Sequence, residues 1–127
     1  MTTLHICNGD SAVKGEDLKR RTKDFAKRVI QLCRRLPRTE EGYLLRRQIF
    51  RSGTSVGANY RAACRARSRA DFVSKVGIVL EEADETLYWL EIIVETGIIE
   101  KKLLTPLMAE NNELIAIFVA SLNTAKK

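Results

Sequence analysis

The chain is poor in the residues from which most active sites are built. Its 127 residues hold one histidine, His5, so a histidine-based general base or metal site has almost no material. The three cysteines, Cys7, Cys33 and Cys64, are odd in number and lack CxxC spacing, which excludes a disulfide framework and a cysteine zinc site. His5 with Cys7 offers two ligands where a closed zinc site takes four, so no metal is expected. Cys33 and Cys64 fall in helical patterns and read as small buried hydrophobes. Only two prolines occur, Pro37 and Pro106, and neither interrupts a long periodic segment. No apolar run is expected to span a membrane, since Ile92-Ile93-Val94 is cut by Glu91 and Glu95. Met1 to Lys14 lacks the basic start, apolar stretch and cleavage site of a signal peptide, and the expected address is the cytoplasm. Gly53 and Gly57 are not followed by Gly-Lys-Ser/Thr, so no phosphate-cradling loop is present and no cofactor is expected.

Charge and helical periodicity are abundant. Hydrophobic residues make up 45% and charged ones 30%, a globular balance suited to one domain with its own core. The net charge of +6 is unevenly spread: residues 1–69 carry 17 Lys/Arg against 6 Asp/Glu, and residues 70–127 carry 5 against 10. The basic half suits a polyanion, or alternatively the acidic half of the same or a neighbouring subunit.

The periodicity predicts an all-α fold, an antiparallel up-and-down four-helix bundle over residues 16–123, with a flexible tail at 1–15 and a frayed end at 124–127. Helix one is expected from Glu16 to Leu36, with Leu18, Phe25, Val29, Leu32 and Leu36 inward and Pro37 as its stop. Lys19, Lys23 and Lys27 form an i,i+4 basic stripe on its outer side. Helix two starts after Thr39, an N-cap followed by Glu40 and Glu41, and is expected to reach about Arg67. Its inner side is Leu45, Ile49, Val56, Tyr60 and Ala63. The middle, Ser52-Gly53-Thr54-Ser55-Val56-Gly57-Ala58, is poor helix material, yet the flanking pattern stays in phase across it. It therefore reads as helix, with a groove of small side chains where another backbone comes close.

Ser68-Arg69-Ala70-Asp71 predicts a capping box at the start of helix three. Its inner row reads Phe72, Val76, Val79, Ala83, Leu87, Leu90 and Val94, and Gly97 suits a left-handed cap. The short link to helix two makes the pair an antiparallel hairpin in which opposed residue numbers sum to about 136. Thr105-Pro106 predicts the start of helix four, with Leu107, Asn111, Leu114, Phe118 and Leu122 inward.

Three constellations stand out. Arg51, Ser55 and Asn59 face Glu81, Asp84 and Glu85, which reads as an ion-pair and hydrogen-bond lock between helices two and three rather than a catalytic carboxylate pair. Arg61, Arg65 and Arg69, spaced by four at the end of helix two, form a strip suited to phosphates or, as plainly, a solvated face. Tyr60, Tyr88 and Trp89 could stack on bases, but Tyr88 and Trp89 sit among Glu85 and Glu91, so packing is the better reading.

The stretch Arg51-Ser52-Gly53-Thr54-Ser55-Val56-Gly57-Ala58-Asn59 resembles the signature of the bacterial four-helix-bundle proteins also called 23S ribosomal RNA intervening-sequence proteins. Asp71-Phe72, Glu81-Glu82-Ala83-Asp84-Glu85 and Tyr88-Trp89-Leu90-Glu91 are similar to the same family's third helix, and the resemblance covers about residues 16–122. It implies a ring-like homopentamer and kinship with the basic accessory proteins of diversity-generating retroelements, which bind nucleic acid and a reverse transcriptase. The family has no established biochemical activity. Where many members carry Asn-Ile-x-Glu-Gly, this chain has Asn59-Tyr60-Arg61-Ala62-Ala63, which makes the local surface more basic. The expected function is that of a non-enzymatic homo-oligomer binding nucleic acid, structured RNA or a ribonucleoprotein, with RNA or DNA as candidate partners, through Lys19, Lys23, Lys27, Arg61, Arg65 and Arg69. The alternative is a protein-interaction scaffold or accessory subunit.

Overall fold

The computed structural model describes residues 10–127, with side chains from Gly15 onward. His5, Cys7 and most of the expected tail lie outside the described residues. Four helices follow in order: α1 (Asp10–Arg35), α2 (Glu40–Ala63), α3 (Arg69–Glu95) and α4 (Lys101–Lys126). Each packs closely on the next in the chain, and α4 closes on α1 more loosely. This is the expected all-α four-helix bundle.

The turns explain the ends. Thr39 caps α2, its hydroxyl accepting from the Gly42 N–H at 3.1 Å. Arg46 reaches back from α2 to the last carbonyls of α1, donating to Cys33 O at 3.0 Å and Leu36 O at 2.7 Å. It thus satisfies acceptors that a helix end leaves open. Ser68 caps α3 by accepting from the Asp71 N–H at 3.0 Å. The returning Asp71 carboxylate meets the Arg67 N–H at 3.4 Å, one residue before the cap, so the box is only half of the expected form. At the other end Gly97 adopts φ 74°, with Ile98 N–H on Ile93 O and Gly97 N–H on Val94 O, the paired bonds of a Schellman cap.

Four boundaries differ from the sequence expectation. α1 begins at Asp10 rather than Glu16, because Gly15 weakens a helix without ending it. α2 ends at Ala63, four residues before Arg67, where Cys64 to Ser68 turn the chain. α4 starts at Lys101, which brings Leu104 into phase with the core; the Thr105 hydroxyl bonds back to Lys101 O at 2.9 Å instead of capping. Pro106 therefore lies inside the helix, where its missing N–H leaves the carbonyl of exposed Lys102 without that donor. α4 also runs on to Lys126 through the stretch expected to fray.

The core is a set of heptad rows. On α3 the buried row is Phe72, Val76, Val79, Ala83, Thr86, Leu90 and Ile93. Its spacing alternates four and three throughout, the repeat of left-handed supercoiled packing. Leu87 and Val94, expected inside, are half-buried, and so is Leu122 of α4, behind which Ala125 is buried. Polar side chains complete the rows. The Thr86 and buried Ser52 hydroxyls share a hydrogen bond of 2.9 Å between α3 and α2. Asn111 of α4 is fully buried, its amide nitrogen donating to Ala83 O at 3.0 Å and its oxygen accepting from the Leu87 N–H at 3.1 Å. By length and composition α4 is the helix among the described residues apolar enough to cross a bilayer. In the bundle its Leu104, Leu107, Leu114 and Phe118 face the core.

Candidate nucleic-acid interface

Helices α1 and α2 approach so closely because α2 has no side chain at two points of contact. A Cβ on Gly53 would lie 2.8 Å from both Val29 methyls, and one on Gly57 would lie 3.1 Å from the Thr22 hydroxyl. The small-residue stretch is helical and forms the expected groove. This approach brings the last turn of α2 level with the first half of the basic stripe on α1. Lys19, Arg20 and Lys23 of α1 then share one open cleft of about 350 Å³ with Arg61 of α2 and Arg65 of the turn.

Five cations line that cleft against one carboxylate, Glu16. Lys19 pairs with Glu16 at 3.1 Å, and Arg20 pairs with Asp17 at 2.5 Å. Lys23, Arg61 and Arg65 have no ion pair or hydrogen bond from their side chains among the described residues, so their charge is uncompensated locally. Of the six expected phosphate contacts the structure gathers four. Lys27 lies outside the cleft, 3.9 Å from Asp24. Arg69 is the first residue of α3, because α2 stops before the i,i+4 strip is complete. Arg20 joins the cleft unannounced; its position beside Lys19 was the only sequence signal.

The α2–α3 lock forms with different membership. Arg51 pairs with Glu82 at 3.1 Å and with Glu85. Glu81, expected in the lock, is exposed and makes no ion pair among the described residues; Glu82, one residue on, is turned toward α2 and pairs with Arg51. Ser55 and Asn59 bond along their own helix, to Arg51 O at 2.6 Å and Ser55 O at 2.9 Å, and not across to α3. Tyr60 is buried against Phe118, with ring centroids 5.5 Å apart. Tyr88 and Trp89 meet edge to face at 5.1 Å, and the Trp89 N–H donates to Glu85 at 3.1 Å. None of the three aromatics lines the basic cleft. A second set of ion pairs was not anticipated. Arg21 of α1 holds Glu110 through two hydrogen bonds, 2.7 and 3.1 Å, and Glu113 at 2.9 Å, both on α4. The hydrogen bond that Arg21 donates to Glu110 outweighs burial and raises the Arg21 pKa above its ordinary value.

Burial pushes the Glu85 pKa up, but hydrogen bonds from Arg51 and Trp89 outweigh it and the net shift is downward. A depressed carboxylate contributes stability that is full above its ordinary value of 4.5 and is lost as pH falls through the folded value. Since Arg51 is half exposed, the contribution is below about 1 kcal/mol. Trp89 is the one tryptophan of the chain. Its emission should therefore shift as the pH drops below about 4.5, and Glu85→Gln should abolish that shift while keeping an acceptor for the indole.

Among the described residues no group of three metal-ligating side chains comes together. Cys33 and Cys64 are buried, and burial raises the Cys33 pKa, which makes it a poor nucleophile.

A sequence profile of the 23S rRNA-intervening sequence proteins matches residues 16–120. The chain belongs to that family. A crystal structure from the S23 ribosomal protein family of Bacteroides thetaiotaomicron VPI-5482, described as a protein of unknown function, is similar at 36% identity and a TM-score of 0.77. The match covers 82% of this chain and 96% of that one. No curated protein matches the chain. In this member of the family the signature stretch is a packing device: Ser52, Gly53, Val56 and Gly57 are all buried between α2 and its neighbours. Arg61, which follows it, is exposed in the basic cleft.

Proposed function

We propose that this family member is a non-enzymatic nucleic-acid-binding protein that grips the phosphate backbone at the cleft between α1 and the end of α2. The observation that carries the reading is the gathering of Lys19, Arg20, Lys23, Arg61 and Arg65 from three segments of chain into one open, cationic cleft. Guanidinium groups suit phosphate oxygens, and unpaired ones need not first release a carboxylate. The acidic side of the molecule supports a non-catalytic role. Glu82 and Glu85 are both tied to Arg51, and the shift at Glu85 is opposite to that of a general acid at neutral pH. Self-association belongs to the same reading. Leu44, Ile78 and Tyr88 are each about half exposed on α2 and α3 and leave apolar surface to bury; the family resemblance implies a ring of five.

The test is fluorescence anisotropy with single-stranded RNA, duplex RNA and DNA at rising salt, with light scattering for subunit number. Arg61→Glu with Arg65→Glu should weaken binding of all three and flatten the log–log salt slope by about 1.4 to 1.8, the value of two lost phosphate contacts. Lys27→Glu should do much less. Unchanged affinity and slope in the double variant would sink the assignment.

A further inference from the structure

The side of α1 that faces α4 carries an arginine every seventh residue: Arg21, Arg28 and Arg35. Seven residues are almost two helical turns, so the three stand in a row about 10.5 Å apart. Their surroundings differ. Arg21 is taken up by Glu110 and Glu113. At the level of Arg28 and Arg35 the opposite wall presents leucines in place of carboxylates. Leu103, Leu104 and Leu107 of α4 line, with Leu32 and the two arginines, a groove of about 160 Å³. Neither Arg28 nor Arg35 makes a side-chain ion pair or hydrogen bond among the described residues. Leu103 is 52% exposed at the groove's edge, where a leucine gains nothing from water. The groove stays open because α1 and α4 are the least tightly packed neighbours in the bundle.

We propose that this groove docks an acidic amphipathic helix of a partner protein. Apolar side chains of the partner lie on exposed Leu103 and half-buried Ile99, with Leu104 and Leu107 buried beneath them, and two carboxylates seven residues apart reach Arg28 and Arg35. The Arg21 pairs supply the pattern within the same seam, a guanidinium on α1 held by carboxylates of a helix alongside. Charge complementarity selects the occupant. A nucleic-acid backbone would satisfy the arginines but leave Leu103 uncovered, and an uncharged apolar helix would leave the arginines unmatched. This surface is separate from the phosphate cleft, which lies on the α2 side of α1.

The probe is a labelled three-heptad peptide with leucine at positions a and d and glutamate at e and g. Repulsion between its glutamates keeps the free peptide monomeric and poorly helical, so helix appears on docking. With the full-length protein, anisotropy should show saturable binding of one peptide per chain, and circular dichroism should show a gain of helix. Arg28→Glu with Arg35→Glu, and separately Leu103→Asp, should each weaken binding at least tenfold, with thermal melts confirming that both variants fold. Arg61→Glu with Arg65→Glu should leave it intact, and lysine at e and g should abolish it. Four outcomes would overturn the proposal: no saturable binding to the wild-type chain, an equal loss in the Arg61/Arg65 variant, displacement of the peptide by RNA, or an altered subunit number in Leu103→Asp. The last would show that a second copy of the chain covers these leucines.

Discussion

Leucine in place of Gly53 should destabilise the bundle by about 3 kcal/mol, as overpacking of a closed contact does. The site has no slack. The first side-chain carbon alone would stand 2.8 Å from both methyls of Val29, a fully buried and β-branched residue whose rotamer is fixed by its helix. Alanine at the same position separates two effects of opposite sign. Helix propensity favours it by about 1 kcal/mol, and the overlap with Val29 opposes it. We expect the overlap to win, with α1 and α2 forced apart along the signature stretch. Pairing Gly53→Ala with Val29→Ala removes the methyls that the new carbon meets, so the double variant should be more stable than the sum of the singles by about 1 kcal/mol. Urea unfolding of the four proteins reads this directly. A rise in stability from Gly53→Ala alone would show that α1 does not lie against this face of α2.

Asn111→Asp should show the second large effect, and it should depend on pH. The amide is wholly inside, donating to one backbone carbonyl of α3 and accepting from one N–H. A protonated carboxyl reproduces both bonds. An ionised one faces the Ala83 carbonyl in an apolar setting, so the buried acid resists ionisation and its pKa rises by about three units. A folded-state pKa raised above the unfolded value costs nothing below about pH 4 and progressively more as pH rises toward the folded value. At neutral pH the loss is about 4 kcal/mol. Thermal melts of the variant should approach wild type at pH 4 and fall well below it at pH 7. A constant difference across that range would place position 111 in contact with water.

Hydropathy located the four helices because large apolar residues dominate every inner row, and it erred where polar residues share those rows. On α3 it selects Leu87 and Val94, while the strict heptad runs through Thr86 and Ile93. Thr86 is tolerated inside because its hydroxyl has Glu82 O and Ser52 for partners, which no periodicity displays. The start of α4 was masked by Thr105-Pro106, a start signal that burial of Leu104 overrides. The cleft was legible as two separate basic stripes, Lys19 with Lys23 and Arg61 with Arg65; that they meet depends on Gly53 and Gly57 drawing the helices together. Arg69 and Glu81 fell away for one geometric reason. A shift of one residue, or a helix ended a turn early, rotates a side chain by about 100° or more out of its row.

The tight seams of this bundle all join helices that are consecutive in the chain, and the loose one joins its first to its last. Contacts between consecutive helices close short loops, so the topology favours rapid folding. The α1–α4 seam should form last and open first, and amide exchange should rise earliest along its two edges. During synthesis α2, α3 and α4 would each find the preceding helix already made, and only the closure of α4 on α1 must wait for the last of the four.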